Sequence, residues 1–181
     1  MTTLEDAWMW YQATLQGAKR LLHLAKYWDQ FPWDSDNGWI AEIQQDNVLR
    51  YLDAEELATS AQRVANDLND HAVLMMFSVF EAIVRDSVVD ELTPELTHLR
   101  HPILVKAGQD VLDAVSEGSF YRVLEPYKGI IDKDLVEQVN QVRRYRNWVA
   151  HGRRTEKMPS ASISPIDAYN RLRQLLNQLS T

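Results

Sequence analysis

Apolar residues recur every three or four positions along most of the chain, and this spacing limits the fold to packed α-helices. The longest such run covers residues 54–92, where Asp53 is placed to cap the helix N-terminus. Its apolar positions are Leu57, Ala61, Val64, Leu68, Ala72, Met75, Met76, Val79, Phe80, Ile83 and Val88. The polar patch 66–71 is expected to bend or break the run. No stretch alternates apolar and polar residues as a half-buried strand does, so the sequence predicts an all-α protein.

Turn and capping residues divide the rest of the sequence into further helices. A first helix is expected over residues 4–30, ended by Pro32 and the turn 34–38, with Trp33 and Trp39 in the core at this corner. A short helix is expected near 39–46, and the long run is expected to break at Thr93-Pro94. A helix over 102–117 and a short helix or turn over 119–125 follow. The last part of the chain is expected to form a helix between Asp132 and Gly152, a mobile loop over 153–162 and a last helix from Ser164-Pro165 that folds back on the helix before Gly152. This order predicts an up-and-down bundle of five or six helices in one domain, residues 1–181.

The composition excludes several classes of protein. Of the 181 residues, 45% are apolar and none is cysteine. Disulfides, zinc–thiolate sites and cysteine nucleophiles are therefore excluded, and a reducing compartment is expected. No apolar run approaches the length of a membrane span, and Glu5 and Asp6 stand where a signal peptide would be basic. The sequence thus predicts a cytoplasmic protein without membrane association.

Two patterns resemble metal sites without completing them. The acidic turn 34–38 lacks the ligands of an EF-hand, because Trp33 and Gln44 fall where carboxylates are needed. Glu95 and His98 form one E-x-x-H pair, but a di-iron bundle needs two such pairs and two more glutamates. No metal or cofactor is therefore expected, and the segment around His98 is expected to be a surface turn.

Positive charge is concentrated in one segment of an otherwise acidic chain. The net charge is −7, yet residues 143–157 carry six cations against one carboxylate, Glu156. The cations of this basic island are Arg143, Arg144, Arg146, Arg153, Arg154 and Lys157. A small basic island on an acidic body favours a local phosphate site over a long duplex-binding surface. A solvated charged turn would explain the same residues without any ligand.

The basic island overlaps the C-terminal end of the helix that precedes Gly152. The apolar stripe of this helix consists of Leu135, Val136, Val139, Val142, Val149 and Ala150. Helical spacing places Arg146 within the stripe. Arg143, Asn147 and His151 line up beside it, one turn apart. Because a buried guanidinium needs a carboxylate, a phosphate or access to water, Arg146 either pairs with a buried glutamate or lines a groove.

These side-chain types suit phosphodiester chemistry. Guanidinium groups bind phosphate with two parallel hydrogen bonds and stay charged at any working pH. An imidazole exchanges protons near neutrality, and an asparagine can orient a sugar hydroxyl or a phosphate oxygen. In the structural alternative, His151 only caps the helix C-terminus, where a cation is favoured.

The segment Arg146-Asn147-Trp148-Val149-Ala150-His151-Gly152 resembles the signature of the HEPN superfamily, in which an arginine is followed by a polar residue and then by a histidine. These seven residues carry the resemblance, and the order of helices extends it loosely to most of the chain. It implies an all-α fold, metal-independent endoribonuclease activity, and a homodimer with the motif at its interface. Many HEPN proteins are toxins or antiviral effectors, which implies RNA as substrate and an antitoxin or inhibitor protein as a partner.

The resemblance gives each site residue an expected role. His151 would be the general base on the RNA 2′-hydroxyl, and Arg146 would hold the scissile phosphate and stabilise the phosphorane. Asn147 would orient His151 or the phosphate, and Glu81, at the rim of the long helix, is the candidate partner of Arg146. The residues expected to steer RNA are Arg143, Arg153 and Arg154.

Two alternatives stay open at this point. The same helix end could belong to a catalytically inactive HEPN-like module that binds a nucleotide, RNA or a protein. A purely structural dimer would leave Arg146 and the basic island without a role.

Overall fold

A computed structural model of the protein describes residues 2–33, 38–46, 53–159 and 162–179. Within these ranges the chain forms seven α-helices and no strand, which confirms the all-α prediction. The helices are α1 (Leu4–Ala25), α2 (Gly38–Gln45), α3 (Ala54–Thr97), α4 (Pro102–Glu117), α5 (Phe120–Leu124), α6 (Lys133–Ala150) and α7 (Pro165–Leu179). Five or six helices were expected, and the number is higher because residues 120–124, a short helix or turn in the sequence reading, form an α-helix.

The first helix is shorter than expected. α1 ends at Ala25 instead of residue 30, because the backbone N–H groups of Lys26 and Tyr27 donate to carbonyls three residues earlier and tighten the turn. A 3-10 turn at Trp28–Gln30 follows before Pro32. The turn expected at 34–38 lies outside the described residues except for Gly38, the first residue of α2.

α3 is one continuous helix of 44 residues, which corrects two expectations. The polar patch 66–71 does not break it, and neither does Pro94. Pro94 has no N–H to offer to the preceding turn. The hydroxyl of Thr93 donates to the Val89 carbonyl at 2.7 Å, and the hydroxyl of Thr97 donates to the Pro94 carbonyl at 2.6 Å. These two side-chain bonds lie on either side of the proline, and the helix continues past it to Thr97.

The chain divides into two compact units, one of residues 9–69 and one of residues 1–8 with 70–181. In the unit of residues 9–69, one cluster of buried side chains consists of Ala25, Trp28 and Leu57. Trp33 packs against this cluster and donates its indole N–H to a backbone carbonyl of the preceding turn at 3.0 Å. Trp33 is thus a core aromatic, as expected, and the side chain of Trp39 lies outside the described atoms. The prediction of one domain over residues 1–181 stays a prediction.

The unit of residues 1–8 with 70–181 contains the motif helix, α6, and its neighbour α7. The buried side chains of these two helices are Leu135, Val136, Val139, Val142, Ala168, Leu172 and Leu175, and burying each large apolar group stabilises the fold by about 1.5–3 kcal/mol. Arg171 of α7 donates to Gln141 of α6 at 3.0 Å. The last helix therefore folds back on the motif helix, as the sequence predicts. This packing fixes the position of the C-terminal end of α6.

Two further features agree with the sequence analysis. His101 is exposed, and its ring accepts a hydrogen bond from the Ile103 N–H at 3.3 Å, as befits a surface turn that starts α4. Among the described helices, none combines the length and the apolar character that crossing a membrane requires.

Candidate functional site

α6 ends in a Schellman motif that fixes the backbone of the signature segment. The N–H of Gly152 donates to the Val149 carbonyl at 3.1 Å, and the N–H of Arg153 donates to the Trp148 carbonyl at 2.9 Å. Gly152 has φ +78°, a left-handed conformation that glycine adopts without steric cost. His151 occupies the C-cap position, and Asp132 caps the other end by accepting from the Asp134 N–H at 2.9 Å. Both expected helix boundaries are confirmed.

Arg146 lies on the buried side of α6, where helical spacing predicts it. Its guanidinium carbon is 5.7 Å from the centre of the Phe77 ring, and one Nη atom donates to Asn147 Oδ1 at 3.0 Å. Its Nε atom is buried and has no hydrogen-bond partner among the described residues. Glu81 pairs with Arg85 instead, and no ion pair joins Arg146 to a carboxylate among the described residues. A guanidinium in this state has unused capacity to bind an anion.

Glu81 does not pair with Arg146, which corrects the pairing expected from the sequence. Glu81 instead accepts from Arg85 at 2.6 Å, one turn further along α3, where i,i+4 spacing brings the two side chains together. Arg85 also donates to the backbone carbonyls of Val115 and Gly118 and so closes the C-terminal end of α4. This ion pair is therefore part of the scaffold.

A groove of about 750 Å³ opens beside the C-terminal turn of α6. Its lining residues are Arg144, Asn147, Trp148, His151, Arg154, Met158 and Pro159. None of these carries a carboxylate, so the groove presents cations, an amide and an imidazole on a partly apolar wall. The imidazole of His151 is exposed to solvent. A volume between roughly 300 and 1,000 Å³ is typical of small-ligand sites, which suits one or two nucleotides.

Asn147 connects Arg146 with the groove. Arg146 is not among the groove-lining residues, whereas Asn147 both lines the groove and accepts the hydrogen bond from Arg146. Asn147 therefore orients Arg146. The expected role of Asn147 was to orient His151 or the phosphate. Its amide nitrogen is left to donate into the groove.

Arg143 is partly buried at the side of α6. Its guanidinium carbon lies 5.5 Å from the centre of the Tyr121 ring, and its Nε donates to Asn140 at 3.3 Å. Burial, and then the charge of Arg144, lower the pKa of Arg143 below the ordinary value of an arginine. Arg143 is not part of the groove lining. It can add to the positive potential near the groove, as expected of a steering residue, but it does not line the groove wall.

Sequence reasoning did not select a buried carboxylate that contacts both α6 and the segment after it. Asp70 of α3 is only 6% exposed, and its Oδ1 accepts from the Tyr145 hydroxyl at 2.6 Å. Its Oδ2 forms an ion pair with Arg153. This ion pair with Asp70 competes with the expected role of Arg153 in steering RNA. The polarity of the patch 66–71 was the only signal in the sequence that pointed to Asp70.

The segment after α6 holds defined contacts, although a mobile loop was expected there. The Trp148 indole N–H donates to the Arg154 carbonyl at 3.0 Å, and a 3-10 turn covers Thr155–Lys157. Arg154 itself lines the groove, and its expected role in steering RNA stays a prediction. Residues 160 and 161 of the expected loop lie outside the described residues.

Comparison with known proteins gives no relative: no family model, no curated protein and no solved structure matches the chain. Within the described part of the chain, no group of three or more histidine, cysteine, aspartate or glutamate residues is placed to hold a metal ion.

Proposed function

We propose that the protein is an endoribonuclease of HEPN type that binds single-stranded RNA in the groove at the end of α6. The observation that carries this proposal is the groove lining, which combines the imidazole of His151 with Arg154, which has no carboxylate partner among the described residues, and with Arg144, which pairs with Glu137. A second groove of similar volume, in the unit of residues 9–69, has no histidine in its lining, which includes both Arg63 and Asp67. Of these two grooves among the described residues, the one beside α6 combines cations with an imidazole that can transfer a proton.

The proposed reaction is an intramolecular transesterification. His151 takes the proton of a 2′-hydroxyl, and the 2′-oxygen attacks the adjacent phosphorus. The bond from phosphorus to the 5′-oxygen breaks, and that oxygen takes a proton from solvent, while His151 releases the proton that it accepted back to solvent. The products are a 2′,3′-cyclic phosphate and a 5′-hydroxyl, so no water and no redox partner is consumed. Arg146, held by Asn147, would neutralise the charge that develops on the phosphorane oxygens, a task that needs no metal ion.

The helical geometry favours a site completed by a second copy of the chain. Arg146 and His151 are five residues apart, so their side chains leave α6 about 140° from each other. One chain therefore offers its base in the groove and its arginine on a neighbouring side. A two-fold dimer with α6 at the interface would bring the arginine of one protomer to the histidine of its partner. An acidic antitoxin or inhibitor protein would fit the same basic surface.

The first test is cleavage of a synthetic single-stranded RNA by the purified protein in EDTA. Activity is expected to be the same with and without the chelator, because arginines supply the positive charge that a metal ion would otherwise provide. Mass spectrometry of the fragments should show 2′,3′-cyclic phosphate and 5′-hydroxyl ends. Binding of the RNA without any cleavage would favour the inactive binding module, and cleavage that requires magnesium would overturn the proposed mechanism.

RNA binding is expected to weaken with salt along a shallow slope. Three arginines near the groove, Arg143, Arg146 and Arg154, have no carboxylate partner among the described residues. At about 0.7 per phosphate contact on a single strand, the plot of log affinity against log salt should have a slope of about −2. The variant Arg154→Gln should reduce that slope, whereas Arg122→Gln, an exposed arginine of α5, should not. A slope of zero would show that the cations of the basic island do not contact the RNA phosphates.

A further inference from the structure

We infer that Asp70 is the positioning residue of the groove: it anchors Arg153 and thereby holds the segment 153–159 in place as one groove wall. The role in RNA binding rests on the proposed function, whereas the anchoring is a property of the free protein. Asp70 lies outside the signature segment and outside the groove lining. It acts through Arg153 and touches no substrate.

The burial of Asp70 requires the partners that it has. Its side chain is 9% exposed, and an ionised carboxylate at this depth is costly unless both oxygens are compensated. The Tyr145 hydroxyl donates to Oδ1, whereas Oδ2 accepts no hydrogen bond among the described residues and is compensated by the charge of Arg153, with which it forms an ion pair. Tyr145 is itself buried in α6, which packs against α7. The carboxylate therefore links α3, the rigid helix α6 and the segment that follows it.

The backbone of Arg153 shows why an anchor is needed. Its φ is +54°, a left-handed conformation that is unfavourable for residues with a Cβ atom and persists only where surrounding contacts hold it. Three contacts do so: the N–H bond to the Trp148 carbonyl, the ion pair with Asp70, and the stacking of the guanidinium 5.9 Å from the Trp148 ring centre. Of these contacts, the ion pair is the one that connects Arg153 to α3.

The anchored segment forms one side of the groove. Immediately after Arg153, the Arg154 carbonyl accepts from the Trp148 indole, and Arg154, Met158 and Pro159 line the groove opposite the helix residues. Release of Arg153 from Asp70 would leave this wall, among the described contacts, with the backbone and indole hydrogen bonds and the contact of Arg153 with the Trp148 ring. The groove would then lose its shape while His151 and Arg146 kept their places on α6.

The anchoring is tested without RNA, by limited trypsin digestion of the full chain after Arg154. Asp70→Asn keeps the size of the side chain and an acceptor for Tyr145, but its amide would place donors against the donors of Arg153. Cleavage after Arg154 should become faster by about tenfold, since the variant removes the buried charge that holds the half-exposed Arg153 side chain. The matched control is Asp86→Asn, an exposed aspartate of α3. Equal digestion rates for the wild-type chain and Asp70→Asn would overturn the inference.

The role in RNA binding is tested by kinetics. Asp70→Asn should raise KM by about tenfold and change kcat little, because the wall contributes binding rather than the reacting groups. In a double-mutant cycle, Asp70→Asn should add nothing to Arg153→Gln, because both break the same pair. Additive effects, or a loss of kcat alone, would contradict the assignment. If the wild-type chain cleaves no RNA, the proposed function fails, and the digestion result still decides the anchoring.

Discussion

Replacing His151 by alanine is expected to lower the rate of RNA cleavage by about two to four orders of magnitude, the usual contribution of a general acid or base. RNA binding should stay nearly unchanged, because the imidazole is one of seven groove-lining residues and the cations remain. The fold should also persist, since His151 is exposed and its removal leaves no cavity. Single-turnover cleavage, a filter-binding assay and a thermal melt would measure the three quantities.

The matched control for this variant is His98→Ala, which removes an exposed imidazole just beyond the end of α3. It should cleave RNA at the wild-type rate. If His151→Ala also cleaves at the wild-type rate, His151 is not the base, and the structural alternative of a capping histidine gains support. If it binds RNA poorly and cleaves in proportion, His151 is a binding residue only.

The helices could be predicted from sequence because their signals are local. Asp53 and Asp132 both accept backbone N–H bonds at the starts of their helices, and Gly152 adopts the left-handed conformation that ends α6. The effect of Pro94 was misjudged, because a proline removes one hydrogen bond from a helix but does not always end it. The hydroxyls of Thr93 and Thr97 bond to the carbonyls of Val89 and Pro94, and no periodic pattern reports such bonds.

In the candidate site, too, the features set by local helical spacing could be predicted, whereas contacts between distant parts of the chain could not. Helical spacing placed Arg146 on the buried face of α6 and left His151 exposed at the helix end. The partners of these residues come from distant parts of the chain, and spacing cannot identify them. Glu81 had a closer partner in Arg85, and Asp70 reaches Tyr145 across 75 positions of sequence. A buried carboxylate within a polar patch looks like any solvated residue until its surroundings are known.

Replacing Arg146 by alanine is expected to lower the cleavage rate by about two to three orders of magnitude, the effect of removing one donor to a developing oxyanion. Stability should change little. Loss of the contact with the Phe77 ring costs about 0.5–2 kcal/mol, and removal of a buried, unbonded N–H returns about 1–3 kcal/mol. Arg146→Lys should also be slow, because an ammonium cannot form two parallel bonds to phosphate. Arg122→Ala, at an exposed site of α5, is the matched control for both variants.

Mixing the two inactive variants tests whether the site is shared between protomers. If each site takes Arg146 from one chain and His151 from its partner, a mixed dimer of Arg146→Ala and His151→Ala keeps one intact site of two. Half of all dimers are mixed after random exchange of equal amounts, so about a quarter of the wild-type activity should return. Neither variant alone should gain activity with added protein. If each site takes both residues from one chain, every site in the mixture lacks one group, and the activity should stay at the level of the separate variants.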